Sequence, residues 1–193
     1  MRNRILPLLL ASLNFASCAQ TSTKPIVFNE IGWSITLPDG FKVIDSSGIA
    51  ASMTRGKASI DTSIYKKIEP SERKILIAAK KGSNAFMSFL TPFDEAKDGS
   101  WLSSNQLVRQ VMFQTLTNKF PSIQFDSTAT VETIASLTFN KFVIKGIDKG
   151  KVVYNSVMLS KLYNGKDFEI SYVYVDDIVG KEIEEMLRQS KFN

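Results

Sequence analysis

The chain has 193 residues, 44% of them hydrophobic and 22% charged, which are the proportions of a globular protein with a real core. Its 24 Lys and Arg against 19 Asp and Glu leave a net charge of +5, too mild to argue for nucleic acid. There is no histidine and a single cysteine, Cys18, which excludes Ser-His-Asp and Cys-His nucleophile systems, thiolate and imidazole zinc sites, haem ligation and intrachain disulfides.

The first element is an address. Met1-Arg2-Asn3-Arg4 is basic, and Ile5 to Ala16 is apolar apart from Ser12 and Asn14. That run has the length of a signal-peptide core and is too short to span a membrane, which takes roughly 20 apolar residues. Phe15-Ala16-Ser17-Cys18 resembles the lipobox of bacterial lipoproteins, with Phe15 where leucine is usual. The resemblance implies that Cys18 is acylated and becomes the mature N-terminus. Ordinary secretory cleavage after Ala19 is the competing expectation, set second because the lone cysteine sits where a lipobox puts it. The expected organisation is a signal peptide over 1–17, a small, polar lipidated tether over 18–25, and one domain over 26–193.

After the tether, Ile31, Trp33, Ile35 and Leu37 alternate with small or polar residues, predicting a strand within 26–37 with those four on one face. Pro38-Asp39-Gly40 predicts a turn, and 41–44 a short extended piece. Asp45-Ser46-Ser47 can cap a helix; Ile49, Met53, Ile60 and Ile64 carry it to about Lys66, weakened by Gly56. Residues 74–79 and 85–93 predict two strands joined by a hairpin loop over 80–84. Residues 94–100 are polar and read as a loop. Ser103 and Gln106 have capping-box spacing. A helix should therefore open at 103, bury Leu107, Val108, Val111, Met112, Thr115 and Leu116, and stop at Pro121.

From Ile123 the pattern turns to strands: 125–134, 137–147, 152–163 and 168–175, with turns at 146–150 and at Asn164-Gly165. In the last strand Phe168, Ile170, Tyr172 and Tyr174 alternate with Glu169 and Ser171. Asp176 or Asp177 caps a final helix buried through Val179, Ile183, Met186 and Leu187. Sequential hairpins imply an antiparallel sheet, and three amphipathic helices must cover it, which is an α+β fold. Helices on both faces would make a three-layer sandwich.

Several of these segments resemble the PsbP-like fold, a three-layer α/β/α sandwich named for an extrinsic photosystem subunit. They are GWSITLPDGF (Gly32 to Phe41), Leu137 to Lys145, and the hairpin VYNSVMLSKLYNGKDFEISYVYV (Val153 to Val175). The closing helix and tail from Lys181 to Phe192, ending Gln189-Ser190-Lys191-Phe192, look alike too. The fold is shared with a yeast Ran-binding import factor and many bacterial lipoproteins. The resemblance spans most of 26–192, and its motifs are structural. It implies a non-enzymatic protein, because such members are mostly binding subunits and assembly factors.

The remaining chemistry is thin. Ser63-Ile64-Tyr65-Lys66 and Ser71-Glu72-Arg73-Lys74 match Ser-x-x-Lys, and Ser103-Ser104-Asn105 matches Ser-x-Asn, but the Lys-Thr-Gly element of penicillin-binding enzymes is missing. Asp94, Glu95 and Asp98 could hold calcium but lack EF-hand spacing; a solvated loop explains them better, and Asp176-Asp177 suits a helix cap. Lys66, Lys67, Lys80, Lys81, Lys141, Lys145, Lys149 and Lys151 read as solubility and edge protection before an anionic-lipid patch. Trp33, Trp101, Tyr154, Tyr163, Tyr172 and Tyr174 read as core before ligand cleft.

The expectation is therefore a non-enzymatic protein with no catalytic, metal or cofactor site, whose one assigned residue is Cys18. It sits on the periplasmic side of a bacterial membrane, the outer favoured over the inner, and works by protein or envelope contact without nucleic acid. The alternative is a small-ligand binder with a pocket between the sheet and the Ser103 to Phe120 helix.

Overall fold

The computed structural model describes residues 24–57 and 73–192. In chain order the elements are β1 (Ile26–Phe28), β2 (Trp33–Ile35), β3 (Lys42–Val43), α1 (Ser46–Lys57), β4 (Lys74–Lys81), β5 (Asn84–Pro92) and α2 (Glu95–Asp98). Then come α3 (Trp101–Lys119), β6 (Gln124–Ile134), β7 (Leu137–Asp148), β8 (Lys151–Tyr163), β9 (Lys166–Tyr174), α4 (Asp177–Gln189) and β10 (Lys191–Phe192).

Seven strands form one antiparallel sheet in the order β3-β4-β5-β9-β8-β7-β6. Its local pairings are the hairpins the sequence predicts. The tight turns need backbone with positive φ, which Asn164-Gly165 supplies (+52° and +68°) and Ala135-Ser136 adopts without glycine (+45° and +74°). Two pairings are long-range, and one of them sets β3 against β4 at Lys42↔Lys80 and Val43↔Ala79. In the other, β5 lies against β9, from Ala85↔Val173 to Pro92↔Lys166, and joins the first hairpin to the C-terminal meander.

A second sheet, β1-β2-β10, covers part of one face. The opening hairpin is not built with the 41–44 piece: 26–35 folds on itself, Gly32 turning at φ +64° and the Ile31 N–H donating to the Phe28 carbonyl at 3.2 Å, while Lys42–Val43 joins β4 in the large sheet. The hairpin's inward face is as predicted, because Ile31, Trp33, Ile35 and Leu37 are all buried. Ser190 then turns the C-terminal tail, its hydroxyl donating to the Leu187 carbonyl at 2.7 Å. Phe192 pairs with Trp33 in register and stacks on its ring at 6.1 Å.

That small sheet and α4 share the first face of the large sheet, and α3 covers the second, which gives the α/β/α layering. The first face holds the main core: Trp33, Phe41, Phe86, Phe139, Phe168 and Ile170 are at most 1% exposed. α4 seats through Val179, Ile183, Met186 and Leu187 as expected, and also through Gly180, where a Cβ would lie 2.7 Å from the Tyr174 ring. The second face holds a smaller cluster, Phe142, Ile144 and Met158, packed by Val108, Met112, Phe113 and Leu116 of α3.

Three expectations change. Residues 94–100 are not all loop: Asp94 caps the one-turn helix α2, accepting the Ala96 N–H at 3.0 Å. The long helix opens at Trp101, with Ser100 as its cap, so Ser103 and Gln106 form no capping box. Winding of about 100° per residue from that start carries Leu107 to the rim of the buried stripe, where it is 39% exposed. α1 begins as expected, with Asp45 accepting the Gly48 N–H at 2.8 Å. Its predicted continuation through Ile60 and Ile64 lies outside the described residues.

Candidate functional site

The second face of the large sheet carries two part-buried carboxylates and the polar bonds that anchor α3. In β9 the apolar set Phe168, Ile170 and Tyr172 points to the first face, so Asp167 and Glu169 point to the second. The Trp101 indole N–H at the start of α3 donates to Asp167 Oδ1 at 2.8 Å. One turn later the buried Asn105 amide donates to the Ser160 hydroxyl at 2.6 Å. Residues four apart share a helix face, so these two bonds pin the first half of α3 across β9 and β8. Further along, the helix packs through Val108, Met112, Phe113 and Leu116 on the smaller cluster.

Beside this anchor, Arg73 Nη2 donates to Glu169 Oε2 at 2.9 Å, and its guanidinium lies 3.8 Å from the centre of the Phe89 ring. Burial pushes the Asp167 and Glu169 carboxyls above the usual carboxylate range, against the pull of Trp101 and Arg73 on Asp167 and of Arg73 on Glu169.

Past the anchor a groove of about 280 Å³ opens between α3 and the outer strands β6 and β7. Gln106, Arg109, Gln110, Phe113 and Gln114 line its helix side, Ser127 and Phe142 its sheet side. The Arg109 guanidinium lies 5.7 Å from the Phe142 ring centre. Its Nε is buried without a hydrogen-bond partner, and no described carboxylate pairs with it. Burial draws its pKa down. A half-buried guanidinium beside glutamine amides can take up an anion or a carboxylate, because it supplies charge and directed donors together.

Cys18, Ser63, Lys66, Lys67 and Ser71 lie outside the described residues. Of the Ser-x-x-Lys lysines, Lys74 is described and bonds Glu30 at the surface. Asn105 of the Ser-x-Asn triplet serves α3 packing. The Asp94 to Asp98 carboxylates are used locally: Asp98 accepts the Asp94 N–H at 2.8 Å and Glu95 accepts the Trp101 N–H at 3.1 Å. Asp176 caps α4, accepting the Ile178 N–H at 2.8 Å. Among the described residues no three His, Cys, Asp or Glu side chains converge in a metal-holding group.

Among the described lysines, Lys81 pairs with Glu182 at 2.6 Å and Lys141 with Glu132 at 2.7 Å. Trp33 and Tyr172 are core, and Tyr172 stacks on the half-buried Tyr174 at 6.2 Å. Tyr163 packs edge-on against Phe192 at 6.3 Å. Trp101 is an anchor, as described above. Burial pushes the phenol of Tyr154 up in pKa.

Arg73, Arg109, Asp167 and Glu169 were not foreseen. The alternation in β9 put Glu169 on the polar side, but its partner Arg73 stands 96 residues away.

No family model matches the chain, and no curated protein matches it. Solved structures do. It is similar to the cyanobacterial PsbP (CyanoP) of Synechocystis sp. PCC 6803, with 9% identity, TM-score 0.55, and coverage of 93% of this chain and 98% of that one. LpqN of Mycobacterium tuberculosis, described as involved in cell envelope biogenesis, aligns at 11% identity and TM-score 0.44 over 87% of this chain and 88% of its own. The Saccharomyces cerevisiae Ran-binding protein Mog1p aligns at 11% and 0.43, over 89% and 95%. At these identities the likeness speaks to architecture, and CyanoP carries it: the chain has the PsbP-like α+β fold.

Proposed function

We propose that this protein is a non-catalytic lipoprotein of the bacterial cell envelope, anchored through a lipid on Cys18 and acting by contact with another envelope component. The observation that carries the reading is the N-terminal order: a basic start, an apolar run of signal-peptide length, then small residues before the lone cysteine. The polar stretch to Lys24 suits a tether, and β1 begins two residues beyond it at Ile26. Several acyl chains on one cysteine, at about 0.8 kcal/mol per buried methylene, hold such a domain stably at the periplasmic side of a membrane, the outer favoured. The α3 face supports a role in recognition, because its groove offers a guanidinium and three glutamine amides.

Mass spectrometry of the membrane fraction tests this. A diacylglyceryl adduct on Cys18 is expected, with Cys18→Ser shifting the protein out of that fraction; an unmodified N-terminus at Gln20 overturns it. A second reading, a small anionic ligand in the α3 groove, is favoured by the unpaired Arg109. Native mass spectrometry of the purified protein checks it through a co-purifying mass that Arg109→Gln removes.

A further inference from the structure

We propose that the outer edge of β6, together with the groove beside α3, is a docking site for an extended peptide strand of another protein that carries a carboxylate for Arg109. The proposal rests on the contact-making reading above and names its site and its partner chemistry.

The two edges of the large sheet differ. One ends in β3, of two residues. The other ends in β6, of eleven residues, laddered to β7 without a register break from Gln124↔Ile147 to Ile134↔Leu137. Long edge strands invite pairing, and proteins usually blunt them with lysine, proline, bulges or shortness. β6 has no lysine, arginine or proline and no bulge, and its sequence QFDSTATVETI is rich in threonine and valine. Most of it is exposed, Val131 by 68%. Among the described residues nothing pairs with its outer side. Every second residue of such a strand turns its N–H and C=O outward, so about five donor–acceptor pairs stand open.

The α3 groove runs alongside this edge, since Ser127 of β6 is one of its walls. A strand added there would lie beside β6 in the plane of the sheet, with alternate side chains on the second face turned toward the groove lined by Phe113 and Phe142. Main-chain bonds to the edge would supply affinity and the groove would supply selection, as in other strand additions. Arg109 sets the selection: it is half-buried, has no described carboxylate partner, and has a buried Nε without a bond. An acidic side chain of the incoming strand would give the guanidinium the charge partner it lacks.

A second copy of this chain fits less well. A twofold pairing through β6 that used the whole strand would centre on Ala129 and set Asp126 directly opposite Glu132. Like charges in that position are destabilising.

The experiment selects random twelve-residue displayed peptides on the full-length protein in detergent, then measures binding of synthesised winners and amide hydrogen exchange. Enriched peptides are expected to be β-prone with Asp or Glu at one position, and to slow exchange at alternate β6 amides. Arg109→Gln should weaken them by roughly ten- to a hundredfold, the value of a charged hydrogen bond. Arg109→Lys should restore part of that, and Arg109→Glu should favour peptides with Lys in place of the acid. No enrichment, enrichment without an acidic position, or protection away from β6 would overturn the proposal. So would β6 protection in the free protein with a dimer in sedimentation, which would assign the edge to a second copy. Failure here leaves the Cys18 adduct untouched, and loss of that adduct leaves peptide binding untouched, so the two readings fall separately.

Discussion

On one face of the large sheet Trp33, Phe139, Phe168 and Phe192 touch ring to ring, with centroids 5.3 to 6.4 Å apart, and seal against α4. On the other face the buried cluster is only Phe142, Ile144 and Met158, beside Asp167, Glu169, Ser160 and Asn105. The first face buries more apolar area and so carries more of the stability. The second leaves a groove, an unpaired guanidinium and a bare strand edge. Burial of aromatic area needs no particular partner geometry, whereas polar groups under a helix must be paired one by one. The second face is accordingly where substitution should alter binding before it unfolds the chain.

The comparison is broken most strongly from the first face. Phe168→Ala removes a fully buried ring at the centre of the aromatic network and should cost about 3–5 kcal/mol in urea denaturation. A loss below about 1 kcal/mol would mean that the two faces are not unequal. Next is Gly180→Ala. Its added methyl meets the Tyr174 ring at 2.7 Å, so α4 or the ring must shift, at about 1–3 kcal/mol despite alanine's better helix propensity. A more stable variant would show that α4 seats loosely.

On the second face, Asn105→Ala leaves the buried Ser160 hydroxyl without its amide donor and should cost about 1–2 kcal/mol. Hydrogen exchange should rise in the first half of α3 while amides of β2 and α4 stay as slow as before. A uniform rise would instead make α3 part of the global unfolding unit.

The smallest effect is in pH. Asp167 and Glu169 have folded-state pKa values raised by burial, so each binds its proton more tightly folded than unfolded. Their contribution is fully present below the ordinary carboxylate pKa and is lost as pH rises through the raised folded value. Thermal midpoints across that window should therefore fall with rising pH. Asp167→Asn, which keeps an oxygen acceptor for Trp101, and Glu169→Gln should each flatten the slope. Asp45 and Glu185 act in the opposite sense, since hydrogen bonds lower their pKa values, but both are fully exposed and add little. An unchanged slope in the double variant would remove both groups from the account.

Much of this was legible in the residues. The hairpins over 74–92 and 124–174 follow from alternation and from turn sequences such as Asn164-Gly165. The four-residue buried stripe of α4 follows from its spacing. Residues 94–100 and the start of α3 differ from expectation because two competing local caps, Asp94 and Ser100, take over there, and the remote Asp167 fixes the Trp101 side chain. Trp101 joins the helix, and its indole finds Asp167, 66 residues on. The groove was anticipated only as a place between sheet and helix; nothing near Arg109 in sequence says that it lacks a partner.

By itself, then, the sequence determined the local pairings and the faces of its strands, because each depends on residues within a few positions of one another. Only the tertiary structure decided that β5 lies beside β9, that the tail closes on Trp33, and that β6 is left at the edge next to Arg109. Those outcomes depend on which surfaces meet after the chain has closed loops of up to about 160 residues, and no local pattern encodes that choice.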